Sequence, residues 1–244
     1  MGALNQIAFN LAYVGDDEIL KWNRNADFRR AVSMAIDRNQ INEAFYYGLA
    51  VPGSPMPQEG SPENPGEEEY RTLWHTYDPE QSSQMLDDLG LTEKDAEGFR
   101  LRTDGSGDTL VFELPISDID PYPEMYEMIS RNLADVGLRV RTPTRGTQLL
   151  NEQRDTDEVM WRMTYNWGAA RVFQGTDAAR FNFPASASGG MLGTSIGLWF
   201  QSGGEEGTSP EFDPNLVEVL ELYRSGLNAT KEEQTEIAQE MWKI

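Results

Sequence analysis

Apolar residues recur at steps of three and four along several stretches of the chain, most clearly from Asn25 to Tyr47. Charged residues such as Arg29 and Asp37 take the opposite positions. This spacing is typical of an amphipathic helix with one buried face. The pattern predicts a single helix over these residues, ended by Gly48. Its apolar stripe consists of Phe28, Ala31, Val32, Ala35, Ile36 and Phe45.

Three later helices are predicted from a shared start signal, an aspartate followed directly by proline. The aspartate accepts from backbone N–H groups that have no partner in the first turn, and proline lacks the N–H that would go unpaired there. The pairs are Asp78-Pro79, Asp120-Pro121 and Asp213-Pro214, with predicted ends at Gly90, Gly137 and Gly226. A capping box of Thr230 and Glu233 predicts a last helix.

Alternating or short apolar runs predict the strands between these helices. They are Gln6 to Tyr13, Phe99 to Arg102, Thr109 to Ile116, Leu138 to Arg141 and Glu158 to Asn166. The second and third flank a Gly-rich turn and are predicted to form a hairpin. The third and fourth enclose a helical pattern, which predicts a βαβ unit. The fold class expected is α/β, a mixed sheet flanked by helices.

Two segments show neither the spacing of a helix nor the alternation of a strand. Residues 51–69 are dense in Pro, Gly and Glu, which predicts a surface loop. Residues 186–200 are rich in Ser and Gly and end in Trp199-Phe200. We interpret this second segment as a loop, with a mobile wall of a binding cleft as the alternative. The whole chain, residues 1–244, is expected to form one large domain.

Composition narrows the classes of function. The 41 acidic and 20 basic residues give a formal net charge of −21, which disfavours nucleic acid and anionic membranes as partners. Cysteine is absent, so disulfides and thiolate metal sites are excluded. No apolar run approaches the roughly 18 residues of a membrane helix. No cofactor or metal is expected.

Candidate catalytic patterns are weak. Asp104, Ser106 and Asp108 have the start of a calcium loop, but Thr109 and Pro115 stand where Gly and Glu are required, so a hairpin turn is expected. His75 is the single histidine and is interpreted as a surface or packing residue. Paired carboxylates would serve a glycoside hydrolase, the alternative from another class. With 41 acids such pairs arise by chance, and we expect no enzyme.

The most suggestive segment is the end of the last strand. Tyr165, Asn166 and Trp167 are followed by small residues and Arg171. Aromatic faces and hydrogen-bond donors at a strand end are placed where open α/β sheets bind ligands. We therefore propose these four residues as a ligand-binding set, against the alternative that Tyr165 and Trp167 are buried packing residues.

Several segments, taken in order, resemble the bacterial extracellular solute-binding proteins that include the oligopeptide- and dipeptide-binding components of ABC importers. No single segment is diagnostic, and the order and spacing carry the resemblance. The segments are Phe9-Asn10-Leu11, Asp27 to Ala31 with Ala35 to Arg38, Gly48 to Pro52, Tyr77 to Glu80 with Leu86 and Leu89-Gly90, Leu133 to Val140, and Asn166-Trp167-Gly168.

The resemblance implies a type II periplasmic-binding-protein-like fold, in which two lobes enclose a ligand and deliver it to ABC permease subunits. The chain resembles the second lobe alone, so the first lobe, the segments that return to it and an upstream export signal are expected elsewhere. The implied protein is a monomer in the periplasm or outside the cell, free or lipid-anchored. Its implied ligand is a peptide or another small solute.

Trp167 matches the tryptophan that faces the ligand in members of this family. Peptide-binding members often carry an acid three residues later, where it can pair with a peptide α-amine. Here that position is Ala170. The departure weakens a peptide with a free N-terminus as ligand and leaves room for oligosaccharides, which stack on Trp and Tyr.

Overall fold

The computed structural model describes residues 5–57, 59–66, 68–165, 171–175 and 177–244, with the backbone alone at 68, 69, 165 and 177. The strands are β1 (Asn5–Phe9), β2 (Val111–Glu113), β3 (Ile116–Ser117), β4 (Arg139–Arg141), β5 (Thr144–Arg145) and β6 (Trp161–Tyr165). The helices are α1 (Asp17–Arg24), α2 (Ala26–Met34), α3 (Arg38–Tyr46), α4 (Glu68–Thr72), α5 (Pro79–Asp88), α6 (Pro123–Asp135), α7 (Thr147–Asp155), α8 (Asp177–Phe181), α9 (Thr194–Gln201), α10 (Pro214–Gly226) and α11 (Lys231–Met241).

Both parallel and antiparallel strand pairs occur. β1 and β6 are antiparallel, whereas β2 pairs with β4 and β3 with β5 in parallel. Within the described ranges these make three two-stranded sheets. The predicted α/β class with mixed strand pairing is confirmed. None of the described helices is both long and apolar enough to cross a membrane.

The chain divides into two compact units. The first unit consists of Met1–Val14, Pro55–Arg71 and Asn151–Ile244, and the second of Gly15–Ser54 and Thr72–Leu150. The prediction that residues 1–244 form one lobe of a binding protein stays a prediction.

The core of the first unit lies beside β1 and β6. Trp161 is fully buried and meets Phe9 edge to face, with ring centroids 5.0 Å apart. Asp157 caps the N-terminus of α9, although it lies 37 positions before Thr194 in sequence. Its two carboxylate oxygens accept from the Thr194 and Ser195 N–H groups at 2.8 and 2.9 Å. A cluster of buried apolar residues lies in the same unit, formed by Leu11, Ala12, Val172, Ala178, Ala179, Phe183, Ala185, Ile196, Phe200, Val219, Leu220, Tyr223, Ala238 and Met241.

The second unit is built on a parallel strand pair joined through a helix. β2, α6 and β4 form the predicted βαβ unit. Phe28 from α2 lies between Trp22 and Phe112, at 5.6 and 5.3 Å between centroids. Arg100 is fully buried there, and its Nε donates to the Val136 carbonyl at 2.8 Å while the guanidinium also contacts Asp87.

The helix predicted from Asn25 to Tyr47 is divided in two, which corrects the prediction. α2 ends at Met34, and the Asp37 carboxylate accepts from the Gln40 N–H at 2.9 Å as the cap of α3. An aspartate that bonds its own backbone competes with the helix ladder. The apolar spacing continues across this break, so the pattern alone could not show it.

Other boundaries differ from the predictions for local reasons. α6 begins at Pro123, because the Asp120 carboxylate accepts from the Tyr122 N–H before the helix rather than capping at Pro121. The expected hairpin forms around an antiparallel bridge between Leu101 and Thr109, with the Arg102 N–H donating to the Asp108 carbonyl at 2.8 Å and the Leu110 N–H to the Arg100 carbonyl at 2.9 Å. Further along the second strand, β2 pairs with β4. Residues 186–200, interpreted as a loop, include most of α9. The starts at Asp78, Asp213 and Thr230 are confirmed.

Candidate functional site

The predicted site begins where β6 ends. Tyr165 is the last residue of β6 and pairs with Asn5 across the sheet. The Tyr165 side chain lies outside the described residues, as do Asn166 and Trp167. Their contact with ligand therefore stays a prediction, and the described residues on either side define the geometry.

β6 is firmly held up to this point. Trp161 and Thr164 are both buried. Gln6, opposite Thr164, donates from Nε2 to the Phe181 carbonyl at 3.2 Å and to Asn182 Oδ1 at 3.3 Å. Gln6 Oε1 and Asn182 Nδ2 are buried and have no hydrogen-bond partner among the residues that the structure describes. Within that part of the chain, an acceptor and a donor are thus left unsatisfied beside the last residues of the strand.

Arg171, the fourth predicted site residue, is exposed. Its guanidinium contacts Gln174 Oε1, and the Gln174 N–H donates to the Arg171 carbonyl at 3.4 Å. The side chain is therefore on the surface and oriented by a neutral amide. A guanidinium placed this way can donate to a carboxylate, a hydroxyl or a carbonyl oxygen of a ligand.

The residues after Arg171 are anchored in the first unit. Val172 is fully buried, and its N–H donates to a Glu63 carboxylate oxygen at 2.6 Å. Phe173 stacks on Tyr223, with centroids 5.4 Å apart and an angle of 12° between the rings. Gly226 makes room for it, since a Cβ there would lie 2.2 Å from the Phe173 ring. No periodicity or motif in the amino-acid sequence predicts this anchor.

Glu63, whose carboxylate accepts from the N–H of the residue after Arg171, is a buried ionisable group. It is 8% exposed. Burial raises the pKa of its carboxyl above the usual range, while the Val172 N–H and the charge of Arg171 oppose that rise. Position 63 lies in the Pro-rich segment that sequence analysis interpreted only as a surface loop, and no periodic signal marks a buried residue there.

A small pocket lies elsewhere in the first unit. Its empty volume is about 230 Å³. Arg154 and Arg162 lie along it, and both donate to Asn151 Oδ1 at 3.1 Å. The remaining lining residues are Ala8, Asn10, Val159, Met160, Gly190 and Met191. That volume includes open solvent, so the enclosed space is far below the roughly 300–1,000 Å³ of a pocket that encloses a whole ligand, and the pocket is too small for a peptide or an oligosaccharide.

The catalytic candidates have local partners. His75 is half-buried, and its Nδ1 lies 2.6 Å from the Thr72 carbonyl. Asp104 accepts from the Ser106 N–H at 2.9 Å and from Arg102 Nε at 2.6 Å, and these bonds lower its pKa to about 2. The described residues contain no cluster of three or more His, Asp or Glu placed to hold a metal ion.

The sequence matches a known protein family. The sequence model described as bacterial extracellular solute-binding proteins, family 5 middle, matches residues 2–186. A periplasmic alpha-galactoside-binding protein of Rhizobium meliloti (strain 1021) is 26% identical over 228 residues, which cover 91% of this chain and 31% of that protein. The chain therefore spans about a third of this relative's length.

Solved structures show the same fold. An oligopeptide-binding protein OppA is similar with a TM-score of 0.83 and 23% identity, over 99% of this chain and 39% of that one. The binding protein MelB from Agrobacterium fabrum C58, in complex with stachyose, has a TM-score of 0.72 and 17% identity, over 98% and 35%. The predicted type II periplasmic-binding fold is confirmed. The chain belongs to family 5 of the bacterial extracellular solute-binding proteins.

Proposed function

We propose that the chain is the second lobe of the substrate-binding component of an ABC importer. The protein would capture a peptide or an oligosaccharide between two lobes and deliver it to a membrane permease. The family match over residues 2–186 is the observation that carries this proposal. The lengths of the relatives, of which this chain covers 31% and 39%, support the interpretation as one lobe.

The ligand-binding set is proposed to be Tyr165, Asn166, Trp167 and Arg171. Aromatic rings contribute apolar contact area, while the amide and guanidinium groups fix the orientation of the ligand. The described residues support this, because β6 and the Val172 anchor fix both ends of the segment that carries the set. Closure of the lobes about a hinge then excludes water from the ligand.

Three observations favour an oligosaccharide over a peptide. One relative is a periplasmic alpha-galactoside-binding protein, and one similar structure holds stachyose. Ala170 also stands where an acid would pair with a peptide α-amine. A peptide remains the second candidate, supported by the similarity to an oligopeptide-binding protein.

The proposed protein acts by binding and not by catalysis. Family 5 members are solute-binding proteins of the periplasm or the cell exterior. We propose that this one is a monomer, free or lipid-anchored, that binds no nucleic acid. Incubation with stachyose should leave the sugar intact, and release of galactose would support the glycoside hydrolase alternative instead.

A thermal-shift screen tests the function. The longer protein of which we propose this chain to be one lobe is heated with stachyose, raffinose, trialanine, a nonapeptide or agropinic acid. A ligand that binds only the native state at 100 times its Kd stabilises it by about 2.7 kcal/mol. We expect one of the sugars to raise the Tm.

The 244-residue chain alone serves as the control in this screen. Because half a cleft cannot enclose a ligand, we expect no shift from the same compounds. A folded longer protein that none of the panel stabilises would contradict the proposal. Micromolar or tighter binding to the isolated chain, measured by calorimetry, would contradict the requirement for two lobes.

A further inference from the structure

The last helix of the chain carries a row of like charges. Glu232, Glu236 and Glu240 of α11 are all exposed and follow one another at steps of four. Side chains four residues apart lie on the same face of a helix, with about 5–6 Å between their Cβ atoms, and like charges at this spacing destabilise it. Among the described residues, Glu240 alone of these three forms an ion pair, with Lys243 at 3.0 Å. The three glutamates, which we call the acid row, therefore oppose the helix that carries them.

The acid row lies on an element that the first unit needs. α11 packs against α10, and its buried Ala238 belongs to the apolar core of the unit. The surroundings add to the negative charge, because Arg224 and Lys231 are the only basic residues in the sequence from 205 to 240. Arg224 already lies over the Phe200 ring and donates to the Phe200 carbonyl at 3.2 Å. The other acidic residues of this stretch are Glu205, Glu206, Glu211, Asp213, Glu218, Glu221 and Glu233.

The spacing of these charges determines how salt acts on them. At 0.1 M salt the Debye length is about 10 Å, which exceeds the separation of about 5–6 Å within the acid row, so the repulsion is weakly screened. At 1 M salt the Debye length is about 3 Å, which is shorter than that separation. The whole chain follows the same rule, because its formal net charge of −21 destabilises the compact state through self-repulsion. Raising the salt concentration to about 1 M should therefore stabilise the chain.

We propose that the chain depends on concentrated salt for its full stability, and that the acid row makes α11 the element that depends on it most. At low salt the repulsion along α11 opposes its packing on α10, and in concentrated salt the counterions screen that repulsion. A surface of this charge suits a medium with about 1 M salt, where the acids keep the protein soluble at little cost in stability. This requirement is separate from the proposed function and involves no ligand.

Thermal unfolding of the 244-residue chain, followed by circular dichroism, tests the salt requirement. Between about 0.05 and 1 M NaCl we expect the Tm to rise by about 5–10 °C. KCl at the same ionic strength should give the same rise, because screening depends on ionic strength and not on a specific cation. If the chain is unfolded at the lowest salt concentration, it should fold when NaCl is added.

The variant E236K tests the acid row. The new lysine stands four residues from both Glu232 and Glu240, so two repulsions become attractions. We expect the Tm to rise by about 2–4 °C relative to wild type at about 0.05 M NaCl. This gain should fall below about 1 °C at 1 M NaCl, where the charges are screened.

E127K is the matched control, because it changes the net charge by the same amount on a helix of the second unit. Glu127 is exposed on α6, with Glu124 three positions before it and Arg131 four positions after it. A lysine at this position gains one favourable neighbour and loses another, so the local effects largely cancel. E127K should therefore raise the Tm by less than half as much as E236K does.

Each of these measurements can overturn the proposal. A wild-type Tm that is the same at low and high NaCl would overturn the salt requirement, and so would a chain that stays unfolded in both. A rise given by only one of the two salts would indicate a specific ion and would overturn screening. An equal gain from E127K and E236K, or a gain of E236K that persists at high salt, would overturn the role of the acid row.

Discussion

The two compact units differ in the sequence distance over which their key contacts form. In the first unit β1 pairs with β6, and Glu63 bonds Val172 across 109 positions. In the second unit, β2 and β4 are linked by the short segment that contains β3 and α6, although Arg102 also bonds Asp16 across 86 positions. The candidate site lies in the first unit, so its geometry depends on residues that are remote in sequence.

The largest expected effect comes from Asp157, whose contacts with α9 are long-range. D157A removes both acceptors of the Thr194 and Ser195 N–H groups and places alanine at a left-handed φ of 58°. We expect the free energy of unfolding to fall by about 3 kcal/mol in urea denaturation. D155A is the control, because Asp155 is exposed and its ion pair with Arg154 contributes about 0.5 kcal/mol or less. Equal losses in the two variants would show that the long-range bonds from Asp157 to α9 contribute no more to the first unit than an exposed ion pair does.

A glycine from each unit gives the next comparison. In G226A the new Cβ would lie 2.2 Å from the Phe173 ring, an overpacking that should cost about 2 kcal/mol. In G90A of the second unit nothing lies within 4 Å, and only the left-handed φ of 89° opposes alanine, at about 1 kcal/mol. Thermal unfolding measures both. A smaller loss in G226A than in G90A would show that Phe173 is not tightly anchored.

The smallest effect is expected at Asp16 in the second unit. Asp16 caps α1 by accepting from Glu18 and Ile19, and it bonds Arg102 at 2.8 and 3.0 Å. D16N keeps a capping group but loses the charge that faces Arg102, which should cost about 1 kcal/mol at pH 7. Urea denaturation at several pH values measures this difference.

The same variant has a pH signature. The hydrogen bond from Arg102 lowers the pKa of Asp16 below 3.8. A carboxyl with a lowered pKa in the folded state stabilises the protein above its unfolded pKa, and this stability is lost as the pH falls through the folded value. The difference between wild type and D16N should therefore shrink below pH 4. A difference that stays constant down to pH 2 would contradict the Asp16–Arg102 interaction.

The sequence predicted features whose signals are local. The caps at Asp78, Asp213 and Thr230 and the βαβ unit were found because each depends on neighbouring residues. The break before Asp37 was missed, since the apolar spacing runs through it. The helix α1 was also missed, although Asp16 is a usable start signal.

The anchor of the candidate site could not be predicted in this way. Glu63 sits in a segment that reads as solvated loop, and its partner is a backbone N–H, which carries no sequence signature. The same holds for Asp157, whose partners are the N–H groups of a segment interpreted as loop. Positions fixed by tertiary hydrogen bonds to backbone are invisible to periodicity and spacing.

The most direct test of the account is calorimetry on W167A. The longer protein is titrated with stachyose, or with whichever member of the panel gives the larger thermal shift. W74A is the matched control, since Trp74 is 38% exposed and belongs to the second unit. Loss of a stacked indole should weaken binding about tenfold or more in W167A, while W74A stays within about twofold of wild type. Wild-type affinity in a folded W167A would contradict the placement of the ligand at the end of β6.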